Sequence, residues 1–155
     1  MKKVVLTCLA LIGVWFISGC ASVPMASSEA DLAAKEFKAP INGKAGVYIY
    51  RNETMGGGVK MDVFIDDQFI GSTASKTYHY VELTPGRHGL KSIAENESLL
   101  DLTAAANKLY YVWQEVKMGI LYARNKLQLV DEKTGQVGVR ESKLALPQLD
   151  SKGAR

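Results

Sequence analysis

Two histidines, His79 and His88, are the side chains best suited to moving a proton near neutral pH. Acid–base or zinc chemistry would need further ligands or carboxylates converging on them, and Asp66, Asp67 and Glu82 are the candidates nearest in sequence. None stands at a motif spacing, so packed or surface histidines are the plainer reading. Asp62, Asp66 and Asp67 offer too few oxygens in one loop for calcium, and Asp62 falls within a strand pattern. "MGGGVK" (55–60) invites a phosphate loop. Such a loop continues as Gly-Lys-Ser/Thr into a helix, whereas this one lies between two strand patterns and reads as a flexible hairpin loop. Ser72 and Lys76 are one residue out of register for Ser-x-x-Lys, and there is no Gly-x-Ser-x-Gly elbow. Glu95 and Glu97 could be paired for glycan cleavage, but read better as a solvated turn. No metal and no cofactor are expected, and no catalytic residue is nominated.

The remaining chemical group is a thiol. Cys20 ends the stretch "ISGC", after Lys2 and Lys3 and an uncharged apolar run over residues 4–17. A basic start, an apolar run too short for a comfortable span and small residues before a cut describe a secretory leader. The last four residues resemble a bacterial lipobox. There the cysteine sulfur takes a diacylglycerol, and the cysteine becomes the new, further acylated N-terminus. The resemblance implies a signal peptide over 1–19 and a membrane anchor at Cys20. Ala21 in the following position implies sorting to the outer membrane. The other cysteine, Cys8, lies in the leader, so the mature domain is expected to have no thiol for a disulfide, a nucleophile or a metal site.

The charge balance narrows the partners. The chain carries 19 basic and 16 acidic side chains, a net charge of +3. Lys2 and Lys3 leave with the leader, so the mature protein is close to neutral. The charges are interspersed, which speaks against nucleic acid.

The elements that would position any site follow from the patterning. Residues 20–43 are rich in Ala, Ser and Pro and read as a lipidated N-terminus and tether. A short helix is expected there, with Ser28 as cap, acids in its first turn and Pro40 as its stop, after a disordered spacer. Residues 44–145 form one domain. Strand patterns occupy 45–51, 59–66, 69–70, 77–83, the stretches "HGLKSIA" and "LLDLTA", 109–118 and 125–131, separated by Gly, Pro, Asn and Asp turns. The fold expected is mainly β, a small antiparallel β-sandwich. A short C-terminal helix within 132–146 is offered, with Gly135 and Gly138 counting against it. Residues 146–155 read as a polar tail.

Rings recur two apart on these strands. Tyr48 and Tyr50, Tyr78 and Tyr80, and Tyr111 and Trp113 each share a strand face. Exposed, they would form platforms for sugar stacking or for a protein partner. Otherwise they fill the core or lie beneath the tether helix.

The stretch from Val63 to Trp113 reads as Asp-x-x-x-Ile-Gly, then Pro-Gly-x-His, then a strand, then Ala-x-Lys-x-Tyr-Tyr. In this it resembles an uncharacterised bacterial lipoprotein domain family related to PEGA-type β-sandwiches. The resemblance covers residues 44–131 and implies a two-sheet fold at the cell envelope, without established catalysis. Two functions are carried forward. One is a non-enzymatic binding or structural module, anchored through Cys20, whose partner is an envelope protein or peptidoglycan. The other is a small cell-wall hydrolase or modifying enzyme, built for instance on His79 and Glu82.

Overall fold

A computed structural model describes residues 21–148. The leader and Cys20 lie outside the described residues. Nine strands and two helices follow in the order α1 (Ser28–Ala34), β1 (Ala45–Arg51), β2 (Met61–Ile65), β3 (Gln68–Thr73), β4 (Thr77–Leu83), β5 (Gly86–Ile93), β6 (Glu97–Ala104), β7 (Leu109–Lys117), β8 (Arg124–Val130), α2 (Glu132–Arg140) and β9 (Lys143–Leu144). One sheet has the order β8-β7-β1-β4-β9, and the other β3-β2-β5-β6.

The two sheets face each other as the alternation predicts. Val47 and Ile49 of β1, Val63 and Ile65 of β2, Leu90, Leu102, Val112 and Leu127 fill the space between them. The pairing is less uniform than expected. Most neighbours are antiparallel, but β1 pairs with β7 and β4 with β9 in parallel. Parallel neighbours need a long crossover, and between β1 and β7 the chain builds the whole second sheet.

β1 is buried at every position, without the in–out alternation of a half-exposed strand. The reason is a third layer. Helix α1, Phe37 and helix α2 cover the outer face of the larger sheet, so Tyr48, Tyr50, Tyr78 and Tyr111 are enclosed with Val139. Helix α2 is capped by Asp131, whose carboxylate accepts from the Thr134 amide at 3.0 Å. Its two glycines weaken helix propensity but are required by packing. A Cβ on Gly135 would stand 2.2 Å from Tyr111 Cβ, and one on Gly138 2.1 Å from Tyr50 Cε2.

Residues 21–37 pack on the sandwich, which corrects the disordered spacer expected over the first eight residues of the tether. Val23 is buried. The Ala26 amide donates to Leu144 O at 2.9 Å, and the Leu146 amide to Pro24 O at 2.9 Å. The cap of α1 is Ser27, one residue before the expected Ser28. Asp31 fastens the helix down. It pairs with Lys35 at 2.8 Å and accepts from the Tyr78 hydroxyl and the Leu144 amide, each at 2.9 Å.

Turn chemistry matches the sequence more closely. Asp66 and Asp67 join β2 to β3 with φ of 50° and 62°, the left-handed pair that a two-residue hairpin needs.

Candidate functional site

The two histidines are structural and far apart in role. His79 sits on β4, fully buried, with Nε2 3.1 Å from Ser72 O and its ring against Gly71. Burial pushes its pKa down, so it is held neutral. Glu82, its suggested partner, lies three residues along the same strand. That spacing sends the two side chains to opposite faces. Glu82 is exposed and meets the Tyr80 hydroxyl at 3.5 Å.

His88 on β5 staples a turn. Its Nδ1 lies 2.6 Å from Asp66 Oδ2 and its Nε2 2.8 Å from Thr84 O. Asp66 also accepts from the Gly89 amide at 2.9 Å. With an acceptor at each ring nitrogen the imidazolium is favoured. The Asp66 hydrogen bond is the largest cause of its raised pKa. Among the described residues no three histidine, cysteine or carboxylate side chains gather as a metal site requires.

The glycine-rich loop presents carbonyls rather than amides inward. Arg51, at the end of β1, is fully buried. Its guanidinium donates to Val59 O at 2.7 Å, Gly56 O at 2.7 Å and Met55 O at 3.2 Å. A loop that spends its carbonyls on an internal cation is not arranged to cradle phosphate. Arg51 was not singled out from the sequence, because an arginine closing a strand reads as a surface residue.

Four of the six nominated rings are core. Tyr48 and Tyr111 stack with centroids 5.2 Å apart, and the Tyr48 hydroxyl donates to Ala34 O at 2.6 Å. Tyr78 reaches Asp31, as described. Burial pushes the Tyr50 phenol up to about 12 and the phenols of Tyr48 and Tyr78 up as well, so all three stay neutral. Their burial rules out exposed platforms for Tyr48, Tyr50, Tyr78 and Tyr111, and the alternative of rings in a covered core holds for these four. Tyr80 and Trp113 keep some surface.

One of the two, Trp113, lines a groove together with an edge of Tyr50. The groove is about 580 Å³ and runs between α2 and the outer face of β1 and β7. Val137 and Gly138 complete its apolar side, with Asn52, Asp131, Lys133 and Thr134 as its polar members. Trp113 Nε1 is buried without a hydrogen-bond partner. Aromatic and aliphatic surface with a few polar groups is the usual make-up of a small-ligand site. The groove arises because glycine at 138 lets α2 sit close against Tyr50. The sequence pointed to the rings but not to the helix that forms the other wall.

No helix among the described residues is long and apolar enough to cross a membrane. Comparison with known proteins gives a family and no activity. The model of a protein family of unknown function, DUF2846, matches residues 41–125. An uncharacterised protein of Haemophilus influenzae is 34% identical over 131 residues, covering 84% of this chain and 78% of the relative. No solved structure matches. The expected kinship with an uncharacterised domain family is thus met, and the chain belongs to the DUF2846 family.

Proposed function

We propose that this protein is an envelope lipoprotein, anchored through acylated Cys20 at the outer membrane, whose sandwich is a non-enzymatic binding module for the glycan strands of peptidoglycan. The anchor rests on the lipobox-like ISGC ending of the leader. The two-sheet fold and the Pro85-Gly86 turn support the kinship with PEGA-type domains as part of the same reading. The absence of catalysis is supported by the histidines, each of which is committed to holding backbone or a turn.

The observation that carries the glycan reading is the groove beside α2. Trp113 and Val137 offer apolar surface, and Asn52, Asp131, Lys133 and Thr134 offer donors and acceptors for sugar hydroxyls.

The test is co-sedimentation of the detergent-solubilised protein with purified sacculi. Saturable binding is expected, with loss of at least about tenfold in affinity for Lys133→Glu combined with Val137→Asp. Both side chains are exposed, so the fold is spared. No binding by the unsubstituted protein would dismiss the glycan and leave an envelope protein as the partner. For the anchor, palmitate incorporation that disappears in Cys20→Ala is the expected result.

A further inference from the structure

Among the described residues, the β7–β8 connection carries three of the four most exposed large apolar side chains, Ile41 being the other. Met118 is 83% exposed, Ile120 89%, Leu121 86% and Tyr122 49%, and Met55 on the adjoining loop is 48% exposed. Contiguous apolar surface of this kind on a small domain marks an interaction site. The loop is also held in one shape. Glu95, between β5 and β6, accepts from the amides of Ile120 at 2.9 Å and of Leu121 and Tyr122 at 2.8 Å each. Gly119 passes so close to Tyr122 O that a Cβ there would stand 1.7 Å from it. A carboxylate spent on three amides fixes the backbone and leaves the side chains projecting outward.

The same end of the sandwich receives the start of the described chain. The Ala21 amide donates to Gly57 O at 3.0 Å. Residue 57 belongs to the loop that packs on the β7–β8 connection. Met55 and Gly56 line a common pocket with residues 117–123, and Gly56 faces Ala123 and Val116. Cys20 is covalently one residue from Ala21, or about 3.8 Å between Cα atoms. The opposite end, residues 105–108, is separated from the apolar loop by the whole of β7, roughly 30 Å at about 3.3 Å per residue. Lys117 and Arg124, both exposed, close and open the strands that flank the loop, with Lys117 paired to Glu115 at 2.5 Å. Apolar tips beside cationic side chains suit the boundary between acyl chains and headgroups.

We propose that this end of the sandwich is a membrane-docking face, with Met118, Ile120, Leu121 and Tyr122 seated in the lipid bilayer to which Cys20 anchors the chain. The inference rests on the lipoprotein reading, because that anchor is what brings a bilayer, rather than a protein, to this end. Glu95 is a positioning residue that holds the loop in its inserting shape. The docked pose fixes the domain against the membrane and turns the 105–108 end away from it.

The full chain, produced in a bacterium with an envelope and reconstituted in phosphatidylethanolamine/phosphatidylglycerol vesicles with brominated acyl chains, tests this. Leu121→Trp is compared with Ala106→Trp at the far end, after subtraction of the unsubstituted protein's emission. A face lying about 5–10 Å into the headgroup boundary predicts at least about twofold stronger quenching at 121 than at 106. Adding Ile120→Asp is expected to reduce that quenching. Equal quenching at both positions overturns the docking face, including the case in which the loop serves a protein partner. Mass spectrometry of the N-terminal peptide from the same sample reads acylation independently. An acylated chain with no quenching at 121 removes this inference alone, whereas an unacylated Cys20 removes the lipoprotein reading on which it rests.

Discussion

Two apolar regions of this molecule have opposite fates. The tyrosines of β1, β4 and β7 look in sequence like platforms for a ligand, and four of them are sealed under α1, Phe37 and α2. The β7–β8 loop looks like an unremarkable connection, and its side chains stand in solvent. The difference lies in what the rest of the chain brings over each. Two hydroxyls on the covered face are met by the tether helix, Tyr48 by Ala34 O and Tyr78 by Asp31. On the loop the backbone is satisfied through Glu95, and among the described residues no element covers Met118, Ile120 or Leu121. An apolar cluster is core when another element completes it. It is a surface device when the structure braces its backbone and leaves its side chains bare.

The comparison breaks most severely at the seal. Gly138→Ala forces a Cβ against the Tyr50 ring, and overpacking of this kind is expected to cost about 3 kcal/mol. Gly89→Ala, whose Cβ would meet nothing within 4 Å, serves as the matched control. Urea midpoints at unchanged m-value check the pair.

Next in size is Asp31, which ties α1 to the tyrosine face. Asp31→Ala removes an ion pair and leaves the Tyr78 hydroxyl and Leu144 amide short of an acceptor, a loss of about 2 kcal/mol. Faster amide exchange in α1 and over residues 21–26 is the diagnostic readout. Burial alone would raise the Asp31 pKa, but the bonds from Lys35, Tyr78 and Leu144 leave it lowered. A depressed carboxylate gives stability that is fully present above its unfolded pKa, about 3.9. That stability is lost as pH falls through the folded value. Docking of α1 should therefore loosen in acid, and in Asp31→Ala this pH dependence should shrink.

The His88 staple should respond in the opposite direction. Its pKa is raised, chiefly by the hydrogen bond to Asp66. Its contribution is complete below the unfolded value of about 6.5 and fades as pH rises through the folded one. His88→Ala is expected to cost about 1 kcal/mol at pH 6 and less at pH 9. A cost that grows with pH would contradict the assignment.

The smallest effects on folding belong to the loop. Ile120→Ser with Leu121→Ser should change stability by less than about 0.5 kcal/mol, since neither side chain is covered. Glu95→Ala should speed exchange of the amides of residues 120–122 while the urea midpoint holds. Destabilisation by the serine pair would mean that the loop is part of the core after all.

Much of the architecture is legible in residue order because it is set locally. Alternation in 59–66 marks a strand with one buried face, and it forms β2. Asp66-Asp67-Gln68 marks a tight turn, and the structure closes it with Asp66 and Asp67 alone, both in the left-handed conformation. The helix within 132–146 is visible but undervalued, because propensity counts its glycines as weakness. Packing uses them to let two tyrosines approach. The parallel partnership of β1 and β7 leaves no local trace, since it joins strands separated by an entire sheet. For the groove, the rings are legible and the wall is not.

The sequence by itself determined the basic, apolar start that ends in ISGC, the interspersed charge, the run of short strands and the lack of any nucleophile–base spacing. These are properties of composition and of neighbours along the chain. Only the tertiary structure decided which tyrosines are sealed, that residues 21–37 pack on the sandwich, that Arg51 organises the glycine-rich loop and that Glu95 braces an apolar tip beside the start of the described chain. Apart from the Arg51 contacts, which reach four to eight residues along the chain, these join groups far apart in sequence, and the burial of all of them exists only once the sheets and helices have been brought together.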